Sequence, residues 1–163
     1  MNSPSASSRP AGHSAEPSLD QWERLTRRAN DAFLAAQFAI AISAHAQALW
    51  VAEALIGSEV LSRRPDDCLA ALIVSHHNLA DLYRDAGHPA AAAEHLCRPH
   101  LTLVELLQDP HFPIPVQQAA LRHLRETRTA LIAHARAHGS DGAIGQALQT
   151  AAMPLRPPGV LLH

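Results

Sequence analysis

Hydrophobic residues recur at three- and four-residue steps along most of the chain, which is the spacing of one face of an α-helix. The pattern predicts five to six helices joined by short loops. A first helix begins after Ser18, and a second begins near Phe38 and is expected to continue past Gly57 to about Ser62. The apolar stripe of the first helix consists of Leu19, Trp22, Leu25, Ala29, Ala32 and Phe33.

Residues that favour helix ends mark several of the boundaries. Ser18 followed by Gln21 is typical of a capping box, in which side chains bond backbone amides that lack helical partners. Asp66 is expected to cap the third helix. That helix ends at Gly87, because glycine adopts the left-handed conformation that closes a helix at little cost. Pro89 stands at the start of the fourth helix, where no backbone donor is needed.

The later part of the chain contains the remaining helices and a proline-rich loop. Pro99 lies within the fourth helix, where it removes one hydrogen bond and is expected to bend the helix. Residues 109–115 contain three prolines and form a rigid loop. A fifth helix then runs from Val116 to about His138, and a sixth covers roughly 143–152.

The composition agrees with a single all-α domain. Hydrophobic residues make up 47% of the 163 residues but aromatic residues only 4%. Alanine and leucine dominate instead, which favours helices over a sheet. We therefore predict a helical domain at 19–152, with flexible tails at 1–18 and 153–163. The first tail lacks the apolar core of a secretory signal, which favours a cytoplasmic protein.

Charge and motifs argue against several classes of function. The formal net charge is −2, so no global field attracts nucleic acid or an anionic membrane. Polar residues interrupt the longest apolar stretch, 38–56, which we therefore interpret as a buried helix and not a membrane span. The sequence has no glycine-rich phosphate loop and no carboxylate pair placed on loops over a pocket. We expect no enzymatic activity and no cofactor.

The segment NLADLYRDAGHPAAAAEHL, residues 78–96, resembles the core pattern of the tetratricopeptide (TPR) family. Tyr83 occupies the aromatic slot of the first helix and Gly87 the turn slot. Ala80 and Ala92 occupy the small-residue slots, where two helices cross closely because little side-chain volume separates them. Leu96 follows one turn later as the large residue.

A fainter copy of the pattern lies 51 residues earlier, with Ala29 and Ala41 in place of Ala80 and Ala92. This spacing exceeds the usual period of about 34 residues. The chain is therefore similar to the long-helix TPR proteins, which include kinesin light chains and many bacterial repeat proteins. The resemblance implies antiparallel helical hairpins stacked as a short right-handed solenoid. The turn before the second helix departs from the pattern, because it lacks glycine.

The resemblance also implies a function, because TPR domains hold a peptide or protein partner in a concave groove. The side chains that it places on the groove are Arg27, Asn30, His77, Asn78, Asp81, Arg84, Arg122 and Arg125. Asn30 and Asn78 match the asparagine slots of a carboxylate clamp, but Thr26 stands where the clamp needs a lysine. The expected function is a non-enzymatic adaptor that binds a peptide or protein.

Two alternatives remain open from the sequence. His76, Cys97 and His100 lie on the central hairpin, and sulfur and imidazole ligands one helical turn apart suit zinc or copper. A metal-binding or metal-sensing helical protein is therefore the second hypothesis. A homodimer is the third, since the terminal apolar faces of short solenoids often pair.

Overall fold

The computed structural model describes residues 16–139 and 141–152, and within these ranges it contains helices and no strands. This confirms the all-α class. The tails predicted at 1–18 and 153–163 lie outside the described residues, apart from 16–18. The helices are α1 (Leu19–Leu34), α2 (Phe38–Ile56), α3 (Glu59–Arg63), α4 (Pro65–Asp85), α5 (Pro89–Gln108), α6 (Ile114–His138) and α7 (Gly142–Ala152).

The described helices number seven, whereas the sequence pattern predicted five to six. The additional helix is α3, because α2 ends at Ile56 and does not continue to Ser62. Ser58 causes the break with two hydrogen bonds. Its hydroxyl donates to the carbonyl of Leu55 (2.8 Å), and its oxygen accepts from the amide of Val60 (3.2 Å). The first bond competes with the continuing helix, and the second caps α3.

The other predicted boundaries have mixed outcomes. Ser18 caps α1 as predicted, since its Oγ accepts from the amide of Gln21 at 3.2 Å. Asp66 does not cap α4, which begins at Pro65 without any side-chain cap. Asp66 instead lies in the first turn, where its carboxylate binds the guanidinium of Arg122 at 2.6 and 3.2 Å. Asp66 therefore forms an ion pair with a residue 56 positions away and does not form the predicted cap.

The α1–α2 and α4–α5 turns have the same geometry, 51 residues apart. Ala36 and Gly87 both adopt left-handed backbone conformations, with φ of 57° and 80°. Each turn closes with the pair of backbone bonds that defines a Schellman motif. From amide to carbonyl, these bonds join Gln37 to Ala32 (2.9 Å), His88 to Tyr83 (2.8 Å), Ala36 to Phe33 (3.0 Å) and Gly87 to Arg84 (3.0 Å). The missing glycine of the first turn is thus replaced by a strained alanine.

Two hydrophobic clusters form the core. The larger cluster contains residues of the first four helices, of the second half of α5 and of the start of α6. Leu55, Leu69 and Leu103 are completely buried in it. The smaller joins α4, α5, α6 and α7, and contains Ala80, Ala92 and Leu96. Ala80 and Ala92 are both 0% exposed, which agrees with the predicted close approach of α4 and α5. α5 continues through Pro99, which is itself buried.

α2 is the one helix of the described ranges that is long and apolar enough to cross a membrane, with a mean hydropathy of 1.4. Length and composition alone give this result, and core helices of water-soluble proteins meet the same criterion. α2 packs on α1, α3 and α4 within the helical domain. It buries Ala41, Ala44, His45, Ala48, Val51, Ala52 and Leu55.

Candidate binding groove between α4 and α6

α4 and α6 lie side by side and point the same way, and a groove opens between their C-terminal halves. Their N-terminal halves are joined by the Asp66–Arg122 ion pair. Further along, the two helices flank a groove of about 410 Å³. Its lining residues are His77, Asp81 and Arg84 from α4, Leu96 from α5, and Ala130, Ala133, His134, Ala137 and His138 from α6.

The two walls of the groove differ in chemistry. Three alanines spaced three and four apart leave the α6 wall low, so that another chain could approach its backbone closely. The α4 wall is polar. Asp81 and Arg84 form an ion pair of 2.7 Å there, with both side chains more than one third exposed. Such a pair stabilises the fold by less than about 1 kcal/mol, so its groups are available to a partner at little cost.

Two histidines line the opposite walls, and each has one ring nitrogen buried inside the protein. Neither Nε2 of His77 nor Nδ1 of His134 has a hydrogen-bond partner among the described residues. Burial lowers the pKa of both side chains. The neighbouring His138 lowers the pKa of His134 further, and its ring centroid lies 4.6 Å away. Both imidazoles are therefore neutral near pH 7.

The structure brings together only some of the residues predicted for the groove. His77, Asp81 and Arg84 are among its lining residues. Arg122 is bound to Asp66 instead, which corrects its predicted place in the groove. The other predicted residues, Arg27, Asn30, Asn78 and Arg125, are not among the lining residues.

The α6 wall of this groove consists of residues other than the predicted ones. The sequence pattern placed Arg122 and Arg125 opposite α4, whereas His134, His138 and the three alanines occupy that position. Adding the 51-residue repeat to His77 gives residue 128, close to the observed wall. Residue 128 is not itself a lining residue, so the repeat spacing alone does not locate the wall.

A family model matches residues 20–156, more than four fifths of the chain, and its description is a protein of unknown function, DUF2753. The chain belongs to this family. No curated protein and no solved structure matches the chain. The DUF2753 match begins one residue into α1 and extends past α7, so the groove lies inside the family domain.

His76 and His95, on the central hairpin of this DUF2753 domain, contact each other. The Nδ1 atoms of His76 and His95 are 3.1 Å apart, so one must donate and the other accept. The His95 ring also stacks on Tyr83, with centroids 5.4 Å apart and planes at 11°. Burial, followed by the charge of His95, lowers the pKa of His76 to about 3. These contacts form a neutral, packed histidine pair.

The other two predicted metal ligands are buried in separate environments. Burial raises the pKa of the Cys97 thiol to about 11, so the thiolate that a metal needs is disfavoured. His100 is 0% exposed, and its Nδ1 lies 2.8 Å from the hydroxyl oxygen of Thr127. That hydroxyl donates its proton to the carbonyl of Leu124, so Nδ1 of His100 must be the donor. Its buried Nε2 is left as a bare acceptor.

No group of three or more His, Cys, Asp or Glu side chains that could hold a metal ion occurs in the part of the chain that the structure describes. His76, Cys97 and His100 are therefore not gathered into a site there. Metal binding stays a hypothesis that rests on the sequence spacing alone.

Proposed function

We propose that this DUF2753 chain is a non-enzymatic, TPR-like interaction module that binds a peptide or protein segment in the α4–α6 groove. The observation that carries the proposal is the groove itself, in which the alanine wall of α6 faces the exposed Asp81–Arg84 ion pair of α4. The alanines allow a bound segment to approach the α6 backbone closely, and the exposed ion pair is available to it at little energetic cost.

The helix order supports the TPR-like part of the proposal. The two equivalent turns, at Ala36 and Gly87, divide the first five helices into units of 51 residues. Each unit contributes a first helix to one side, because α4 packs on both α1 and α6. The buried Ala80–Ala92 crossing provides the close contact within the second unit. Stacked units of this kind form a right-handed solenoid with a continuous groove along the first helices.

The dimensions favour an extended chain as the occupant. The α6 wall, from Ala130 to His138, is about 12 Å long at 1.5 Å per residue. An extended peptide rises about 3.3 Å per residue, so three or four residues fit along the wall. Asp81 and Arg84 would then select its charged side chains.

Site-specific photo-crosslinking tests the proposal in living cells. We would place p-benzoylphenylalanine at Ala133 in the groove, and at Ala46, an exposed position on α2, as the control. The proposal predicts a crosslinked partner band from position 133 but not from 46. The charge-neutral groove substitution Ala133→Leu should weaken capture, and Ala46→Leu should not. Equal crosslinking from both positions, or capture unaffected by Ala133→Leu, would refute the groove as the binding surface.

A further inference from the structure

A second groove lies at the N-terminal end of the helical domain, between α1 and α2. Its volume is about 510 Å³. Gln21, Arg24 and Arg28 line it from α1, and Gln47 and Trp50 line it from α2, with Leu25 at its base. It is separate from the α4–α6 groove and shares no lining residue with it.

The 51-residue repeat shows what the equivalent surface does in the second unit. Gln21, Arg24, Leu25 and Arg28 correspond to Leu72, Ser75, His76 and Leu79. These four residues are at most 4% exposed, and α4 packs against both α1 and α2 of the first unit. The contact includes a hydrogen bond of 2.8 Å from the indole nitrogen of Trp22 to the hydroxyl of Ser75. This side of the second unit is therefore a packing surface. The equivalent side of the first unit carries Arg24 and Arg28.

The chemistry of the groove combines positive charge with an exposed aromatic ring. Arg24 and Arg28 are one helical turn apart, and no carboxylate of the described residues lies within 4.0 Å of either guanidinium. Trp50 is 69% exposed, the most exposed aromatic side chain in the described ranges. A polar end cap would explain the arginines but not the exposed indole. Arginine and tryptophan together are typical of residues that dominate binding energies at protein interfaces.

We propose that this end groove binds an acidic peptide segment in which two carboxylates flank a large apolar residue. Charge complementarity selects the acidic residues, since each guanidinium can hold a carboxylate by two parallel hydrogen bonds. Arg24 and Arg28 are about 6 Å apart along the helix, close to the spacing of alternate residues in an extended chain. The residue between the two acids then points to the opposite wall, where Trp50 lies. The amides of Gln21 and Gln47 are placed to bond the peptide backbone.

The defined probe is a synthetic peptide with the central sequence Asp-Leu-Glu between glycine and serine residues, and its Asn-Leu-Gln analogue is the neutral control. The chain has two tryptophans, so an amide correlation NMR spectrum of the full chain shows two indole N–H signals. The acidic peptide should shift the signal of Trp50 and leave that of Trp22, which is hydrogen-bonded to Ser75. The affinity, from the anisotropy of labelled peptide, should fall at least about tenfold for the neutral peptide.

Variants locate the interaction. The double substitution Arg24→Gln/Arg28→Gln should weaken acidic-peptide binding at least about tenfold, as should Trp50→Ala. The matched control Arg125→Gln/Arg128→Gln removes the same charge from exposed positions on α6 and should change the affinity less than about twofold. Raising the salt concentration should weaken binding of the acidic peptide only, because screening acts on the arginine contacts.

Three results would overturn the proposal. The first is an unmoved Trp50 signal at millimolar acidic peptide, and the second is equal affinity for the acidic and neutral peptides. The third is a Trp50 signal that shifts with protein concentration alone, together with a dimer in sedimentation that Trp50→Ala abolishes. That result would assign the end groove to a second copy of the chain.

Discussion

Exchanging Ala36 for glycine should stabilise the protein, and exchanging Gly87 for alanine should destabilise it by a similar amount. Both residues occupy the left-handed position of matched Schellman turns, with φ of 57° and 80°. Both are exposed, and a Cβ added at Gly87 would meet no atom within 4 Å. The two substitutions therefore change backbone conformational energy without changing packing.

The magnitude follows from two opposing effects. A non-glycine residue in the left-handed region costs roughly 1–2 kcal/mol. Glycine at the same position gives the unfolded chain more freedom, which costs about 0.4–1 kcal/mol. Ala36→Gly should thus raise the free energy of unfolding by about 0.5–1 kcal/mol, and Gly87→Ala should lower it by the same amount. For a chain of this length, 1 kcal/mol corresponds to about 2–4 °C in Tm.

Urea denaturation followed by far-ultraviolet circular dichroism measures both changes as shifts in the midpoint. The control is Ala35→Gly, at the adjacent position with φ of −82°, where glycine brings no relief and should destabilise by about 0.5–1 kcal/mol. The double variant Ala36→Gly/Gly87→Ala should return close to wild type, because the sites lie in separate turns. If Ala36→Gly destabilises as much as Ala35→Gly, the reasoning about strain at Ala36 is wrong.

Two further predictions concern buried histidines. Because the pKa of His76 falls to about 3 in the folded protein, the unfolded chain binds more protons below pH 6.5. The stability contribution of neutral His76 is complete above pH 6.5 and is lost as the pH falls towards 3, by on the order of 2 kcal/mol at pH 5. Urea midpoints should therefore drop less between pH 7 and pH 5 in His76→Gln than in wild type, and equal drops would contradict this assignment. Thr127→Val leaves the Nδ1–H of buried His100 without an acceptor and should lower the free energy of unfolding by about 1–3 kcal/mol. The same change at exposed Thr129 should cost less than about 0.5 kcal/mol in urea denaturation, and similar losses at both sites would argue against the His100–Thr127 bond.

The sequence predicted best where the deciding interactions are local. The Ser18 cap and the left-handed Gly87 depend on bonds that span at most five residues, and both are present. The break at Ser58 was missed although it is also local. Leu61 of α3 is buried beside α4, so the apolar periodicity continues across the break. For this reason the sequence pattern predicted one helix where the structure has α2 and α3.

Three of the residues predicted for a binding groove line the α4–α6 groove, and the difference on the α6 side follows from distance along the chain. His77, Asp81 and Arg84 lie on one face of α4, which helical periodicity fixes without reference to any other helix. The residues opposite them depend on how far α6 slides along α4. That register depends on contacts between distant residues, among them the Asp66–Arg122 pair, 56 residues apart.

The sequence by itself determined that this protein is all-α, where most of its helices begin and end, and which face of each is apolar. These features arise from interactions within a few residues and leave a period in the amino-acid pattern. Tertiary structure alone decided that the α4–α6 groove has an alanine wall opposite the Asp81–Arg84 pair, and that His76 packs against His95. Such features depend on contacts between side chains of different helices. These contacts produce no periodic pattern in a single sequence, so they cannot be predicted from it.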